Sequence, residues 1–295
     1  MNSFSITQLA RFSGVKAHTI RMWEQRYDTL QPNRTEGNTR FYNNDQLKRL
    51  LNIVTLADVD YKVSELSKMP DKRLFKLLEE LKNKAGDAHY EYFIPQLINA
   101  AINYDESAFE KTFSHCILRF GFKDTYLLII YPLLVRIGLL WSSDTIPPAH
   151  EHFISNLITQ KLFTAIDSLP VPDPKSESWL LFLPEQEFHE IGLLFASYLI
   201  RRSGIKVIYL GSNLPLESLK MVLENTSPEN LLLFFVHRDL PEDTREYLKN
   251  LGNLFKRKKI FVAGHKKFTE QLGEINKVQY LNSIEDLEKQ LVHKT

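Results

Sequence analysis

Between the apolar run Trp179-Leu180-Leu181-Phe182-Leu183-Pro184 and a segment that continues with helical spacing lies Glu185-Gln186-Glu187-Phe188-His189-Glu190-Ile191-Gly192. His189 stands where a buried strand turns into a helix. A histidine in such a crossover is either a capping or solvated loop residue, or a group presented from the carboxyl end of the strand, where open α/β sheets hold their ligands. A second set of residues able to do chemistry lies near the amino terminus. His18, Thr19 and Arg21 sit at the start of a helical segment, where short or hydrogen-bonding side chains can meet base edges in a DNA groove. Arg26, Tyr27, Arg34, Arg40 and Tyr42 are candidates to grip phosphates, which would fix register without reading sequence.

The bounds around these residues are those of ordinary globular chains. At 295 residues, with 43% hydrophobic and 25% charged residues, there is room for two or three domains with real cores. A net charge of +1 excludes a chain devoted wholly to a polyanion, yet residues 1–56 carry eight Lys/Arg against four Asp/Glu. The basic end is thus the end with the candidate DNA contacts. A single cysteine, Cys116, rules out an internal disulfide or a thiolate cluster and fits a reducing cytoplasm. The chain opens without the basic and apolar regions of a leader. The stretch 126–141 is apolar but interrupted by Pro132 and Arg136, and it falls short of the about 20 residues a bilayer span needs. The expectation is a cytoplasmic protein with no membrane partner.

The elements that must position these groups follow from periodicity and turn chemistry. Ser5-Ile6-Thr7-Gln8 has the spacing of a capping box and opens a short helix that Ser13-Gly14 ends; a second helix runs from about Lys16 to Gln25. Two short extended arms around Glu36-Gly37-Asn38 read as a wing. A third helix is capped by Asn43 with Gln46, and a short fourth lies near Val63-Leu66. From Tyr90 to about Leu169 the pattern is helical, with breaks at Tyr104-Asp105, at Gly121 and at 144–148, hence a four-helix bundle. The prolines of 169–176 form the clearest linker. Beyond it, strand runs at 179–183, 206–210, 231–236, 259–263 and 278–281 alternate with helices, the mark of a doubly wound parallel sheet. The expected fold is multi-domain, α and α/β, divided as 1–80, 88–169 and 177–295.

His18 to Tyr27, followed by Arg34-Thr35-Glu36-Gly37-Asn38-Thr39-Arg40-Phe41-Tyr42, closely resembles the winged helix-turn-helix of the MerR family of transcription regulators, over about residues 4–69. Glu187-x-His189-x-x-Gly192 resembles the Asp-x-His-x-x-Gly signature of Rossmann-like cobalamin-binding domains, with Glu in the Asp position. That resemblance implies that His189 is the lower axial ligand of cobalt, that Glu187 fixes its tautomer and raises its basicity, and that Gly192 lets the corrin approach the helix start. Gly211 and Gly264 join it as candidate cofactor contacts. Trp141, with Glu151-His152 after nine intervening residues, resembles the pattern of light-responsive MerR-type repressors whose helical cap covers the upper face of adenosylcobalamin.

The chain departs from that family at three places. Ser142 stands where light-responsive members carry a histidine that captures cobalt, so a second imidazole on the metal is not expected. Phe234-Phe235-Val236 replaces a Ser-x-Leu that lines the slot for the nucleotide tail, and Ala263-Gly264 replaces a Gly-Gly. The resemblance implies a non-enzymatic regulator, a repressor, that binds double-stranded promoter DNA as a homo-oligomer, dimer or tetramer, with adenosylcobalamin as effector or light-sensing chromophore. Two alternatives stand beside it. One is a MerR-type regulator that has lost cobalamin and answers to a protein partner. The other is a cobalamin-dependent methyltransferase component, against which all three segments are already spoken for.

Overall fold

The computed structural model describes residues 4–35, 38–57, 61–84, 90–141, 147–173, 176–236, 241–255, 258–264 and 266–291. They form two compact units, Met1–Leu157 and Ile158–Thr295.

In the first unit, the Ser5 hydroxyl accepts from the Gln8 amide at 3.3 Å and the Gln8 side chain accepts from the Ser5 amide, so the capping box opens α1 (Ile6–Ser13) from both sides. Gly14, at φ +72°, ends it in the left-handed conformation. α2 (Ala17–Tyr27) buries Ile20. The wing is the antiparallel pair β1 (Asn33–Arg34) and β2 (Arg40–Phe41); its expected tip, Glu36-Gly37, lies outside the described residues. Asn43 and Gln46 cap each other at the start of α3 (Asn44–Ala57), and α4 (Val63–Leu66) follows. α5 (Asp71–Lys84), which the sequence did not lead us to expect, buries Leu74, Leu77 and Leu78 at helical spacing within a highly charged segment.

Arg49 holds these pieces together. From α3 it donates to the carbonyls of Thr29 at 2.9 Å, Ser67 at 2.6 Å and Met69 at 3.0 Å, and it pairs with Asp71 at the head of α5. One guanidinium thereby satisfies carbonyls of two connections, α2–β1 and α4–α5, as well as the head of α5, which its planar array of donors allows and a lysine ammonium does not.

The bundle helices are α6 (Phe93–Asn103), α7 (Glu106–Thr125), α8 (Tyr131–Trp141) and α9 (Pro148–Asp167). The expected break at Gly121 is a non-helical residue, φ 76° and ψ 169°, inside α7. A π turn at Tyr126–Ile130, in which the Tyr131 amide donates to Tyr126, leads into Pro132, which has no amide to offer the helix ladder. α1 packs on α6 and α8, and α3 on α5 and α6, so the helix-turn-helix and the first bundle helices share one unit. Among the described residues no helix is long and apolar enough to cross a membrane.

In the second unit, β3 (Ser178–Pro184), β4 (Lys206–Leu214), β5 (Asn230–Phe235), β6 (Lys259–Gly264) and β7 (Val278–Leu281) form one parallel sheet in the order β4-β3-β5-β6-β7. Alternation divides its residues between two faces. Leu180, Phe182, Leu231, Leu233, Phe235, Ile260 and Val262 pack against α11 (Leu216–Asn225), α12 (Pro241–Leu254) and α13 (Lys266–Leu272). The other face carries Trp179 stacked on Phe261 at 4.9 Å and meets α10 (Ile191–Arg202), against which α14 (Ile284–Leu291) lies. The order reverses direction between β3 and β5, and the carboxyl ends of those two strands are the switch point where such sheets bind ligands. The division between units falls inside α9, before the proline segment, because the last turns of α9 (Phe163, Ile166) line a cleft with Leu194 of α10 and Val207 of β4.

Arg49→Ala should lower the stability of the first unit by about 2 to 4 kcal/mol, since several charge-assisted bonds go at once. Arg49→Lys should recover less than half of that. Urea titration of the amino-terminal transition measures both, and a change below about 0.5 kcal/mol for Arg49→Ala would remove Arg49 from this role.

Candidate functional site

On α2 the side chains of His18 and Arg21 are exposed on one helical face, joined by Gln25, which the sequence reading did not single out. Thr19 is half-buried, with its hydroxyl 3.5 Å from His18 Nδ1. Arg26 and Arg34 are exposed and Tyr27 is half-buried; Arg34 also donates to Asn38 across the arms of the wing. Tyr42 is different. Expected at a phosphate, it is 0% exposed, and its hydroxyl donates to Glu24 Oε1 at 2.6 Å. Burial, then the Glu24 carboxylate, raises its pKa well above the phenolic range. Tyr42 is therefore a core residue that joins the end of the wing to α2. Glu24 Oε2 also lies 3.9 Å from the half-exposed Arg40. Glu24, an acid among the candidate DNA contacts of α2 that gave no signal in the sequence, ties α2 and the wing into one body.

In the bundle, α8 ends at Trp141, whose side chain lies outside the described residues, as does Ser142. Glu151 and His152 lie in the first turns of α9, His152 Nδ1 3.1 Å from Glu151 Oε2, and the Ser155 hydroxyl donates to Glu151 Oε1 at 2.5 Å. A carboxylate in a helix's first turn is favoured by the unpaired amides there. The pair is anchored by a residue the sequence did not reveal. His150 is 4% exposed, stacks on Tyr104 with ring centroids 4.5 Å apart, and places Nδ1 3.3 Å from the carbonyl of Ala101 near the end of α6. Burial pushes its imidazole below the usual histidine range, partly offset by that carbonyl.

The β3–α10 connection is held from three directions. Gln186, at φ +67°, donates its amide to Asn213 Oδ1 at 2.9 Å, and the Asn213 amide returns a bond to the Glu187 carbonyl at 3.1 Å. The Glu187 side chain, 2% exposed, turns inward: Oε1 accepts from the amides of Phe188 and His189, each at 3.1 Å, and Oε2 from the amide of Val236 just past β5 at 2.9 Å. His189 Nδ1 lies 2.5 Å from Glu187 Oε1, while the imidazole itself is 48% exposed. A buried carboxylate that already takes three amide protons holds the imidazole in the tautomer that donates from Nδ1, which makes Nε2 the basic nitrogen. This is the arrangement that prepares a histidine as a metal ligand. Among the described residues no group of three or more His, Cys, Asp or Glu could hold a metal ion.

The candidate glycines have separate neighbours. A Cβ on Gly192 would stand 3.2 Å from the Phe234 ring, one on Gly211, at φ +78°, 3.2 Å from Glu190 Oε1, and one on Gly264 3.2 Å from the Phe235 carbonyl. Glu190 Oε1 also accepts the Tyr209 hydroxyl at 2.8 Å, so the residue after His189 is fixed to β4.

Residues 4–72 match the family of MerR HTH regulatory proteins, and residues 93–165 match the B12 binding domain family. The chain is 27% identical over 253 residues to the HTH-type transcriptional repressor CarH of Myxococcus xanthus, covering 84% of each. It is 27% identical over 296 residues to the repressor CarA of the same organism, covering 96% of this chain and 94% of that protein. The monomethylamine corrinoid protein of Methanosarcina barkeri shares the fold at 15% identity and a TM-score of 0.50, covering 68% of this chain and 98% of that one. The chain thus joins a MerR helix-turn-helix to a B12-binding domain.

The lowered pKa of His150 makes a signed prediction. Above about pH 6.5, the unfolded value, folded and unfolded chains both carry the neutral ring and the stabilisation is complete. As pH falls through 6.5 toward the lower folded value, the unfolded chain takes up a proton the folded one refuses, and stability declines. His150→Phe should keep the ring stacking and lose this part of the decline. Urea midpoints of both proteins at pH 7.5 and 5.5 measure it; equal declines would contradict it.

Proposed function

We propose that this chain is a DNA-binding transcriptional repressor whose carboxyl-terminal half takes adenosylcobalamin as its effector. The observation that carries the reading is the buried Glu187 carboxylate holding His189 at the switch point of a parallel sheet, in a chain that begins with a MerR helix-turn-helix. The likeness to the repressors CarH and CarA supports the sense of regulation, repression; action in the cytoplasm is part of the same proposal.

The division of labour proposed is DNA reading by residues 1–80, a helical cap at 88–169, and the ligand-holding sheet at 177–295. In the first part, His18 and Arg21, with Thr19 beside them, would meet base edges. Arg26, Tyr27, Arg34 and Arg40 would take phosphates, and the Glu24–Tyr42 bond would keep the wing at a fixed angle to α2. One helix and one wing bury too little surface for tight specific binding, so the protein acts as a dimer or tetramer. In the sheet, His189 would bind cobalt through Nε2 with Glu187 raising its basicity, and Glu190, held by Tyr209, keeps the loop from swinging. Trp141, Glu151 and His152 are assigned to recognition of the adenosyl group. When bound, an alkylcobalamin supplies a cobalt-carbon bond whose breakage, by light among other means, can act as a signal. The Phe234 ring against Gly192 favours a second reading, a regulator that has given up the corrinoid and answers to a protein partner.

Two outcomes are expected. Binding of the full chain to a duplex fragment from upstream of its own gene should weaken at least tenfold between 50 and 200 mM salt, as counterions released from several phosphates require. Arg40→Ala should weaken it on all sequences alike, whereas Arg21→Ala should also blur base preference, by about 1 to 3 kcal/mol at the base concerned. Salt-insensitive binding measured by fluorescence anisotropy would contradict the interface. In the second, the wild type is mixed in the dark with adenosylcobalamin and desalted; it should keep an absorption spectrum with the cofactor's own base displaced. His189→Ala should lose the corrinoid or hold it with that base still on cobalt. Identical behaviour of the two proteins would return His189 to the status of a loop residue.

A further inference from the structure

Resting on the reading just given, one departure from the expected motif becomes specific. If His189 takes cobalt, the cofactor's own base must leave the metal on the side where the imidazole enters, and the nucleotide loop that carries this base must then lie beside His189. The space next to His189 is bounded by the start of α10 and the carboxyl end of β5. The β5 wall is tied down, because the amide of Val236 donates to Glu187 at 2.9 Å.

Phe234 stands in that space. Alternation along β5 turns Leu231, Leu233 and Phe235 to the face covered by α11–α13, which leaves Phe234 on the α10 face. Its ring lies over Gly192, where a Cβ would stand 3.2 Å from Cε1 and 3.4 Å from Cδ1. Its register partner in β6 is Ala263, so the two departures noted in the sequence are neighbours in the sheet. Gly192 therefore serves a different purpose here from the one its motif implies: the room made by its missing side chain is taken by an aromatic ring. A phenyl group also offers no hydrogen bond to the phosphate or sugar of a nucleotide loop, and those polar groups would be left unpaired beside it.

We infer that Phe234 is a specificity-determining residue that closes the groove between α10 and β5, so that the sheet favours corrinoids with a short or absent lower nucleotide loop over intact cobalamins. Adenosylcobinamide, which lacks the nucleotide, and adenosylcobalamin serve as probes. Equilibrium binding in the dark is read by absorbance for the wild type, Phe234→Ser and Phe234→Ala, with circular dichroism to verify folding. The wild type should hold the cobinamide at least tenfold more tightly than the cobalamin, and either substitution should reduce that ratio at least fivefold. Displacing the cofactor's base weighs on wild type and variants equally, so it cancels when their ratios are compared. Equal affinity of the wild type for both probes, or a ratio unmoved in a folded variant, would overturn the assignment while leaving His189 as ligand. Retention of neither probe by any of the three proteins would overturn the assignment together with the corrinoid reading on which it rests.

Discussion

The buried carboxylate of Glu187 is the constraint on which the second unit's switch point depends. A charge at 2% exposure persists only if its lone pairs are taken up, and here the amides of Phe188, His189 and Val236 and the imidazole of His189 take them. Those partners come from the turn after β3 and from the end of β5, so one side chain closes the switch point from both strands. The tautomer of His189, the path of the connection and the position of β5's end are consequences of satisfying one charge. Removing the carboxylate would leave the amides of Phe188, His189 and Val236 without this acceptor and the imidazole without the partner that fixes its tautomer.

Glu24 does the corresponding work in the first unit. A carboxylate on a helix proposed to face a polyanion looks like an error until its partners are counted: the Tyr42 hydroxyl and the Arg40 guanidinium both come from the wing. It neutralises part of the wing's charge and fixes the angle between the two elements that would touch DNA. Arg49 extends the same logic to α3, α4 and α5. In each case a charged group binds several segments at once. The hydrophobic core brings these segments together without direction, and the charged hubs decide their orientation.

Much of this was legible in the sequence, and the rest was not, for physical reasons. The strands of the sheet, the capping boxes at Ser5 and Asn43, the break at Gly121 and the spacing around His189 are local signals, written in residues close in the chain. α5 escaped because its buried residues Leu74, Leu77 and Leu78 are set among many charged ones, so that the segment reads as polar. Tyr42 was expected at a phosphate because phenols beside arginines suit that role; its actual partner, Glu24, lies eighteen residues away and no local pattern links them. His150 was overlooked in favour of Glu151 and His152, since its burial is set by Tyr104 and Ala101 on another helix. The contact of Phe234 with Gly192 was foreshadowed by the bulk of the phenyl group alone, and its geometry needed the sheet.

If the two halves form one regulator, ligand and DNA must share a coupling free energy, and each must alter affinity for the other. The direct measurement is binding of the full chain to the duplex upstream of its own gene, in the dark, at fixed salt, with and without saturating adenosylcobalamin or adenosylcobinamide. At least one corrinoid should change the DNA affinity tenfold or more, and His189→Ala should abolish that change while its affinity without corrinoid stays that of the wild type. An affinity for DNA that neither corrinoid alters would contradict the account.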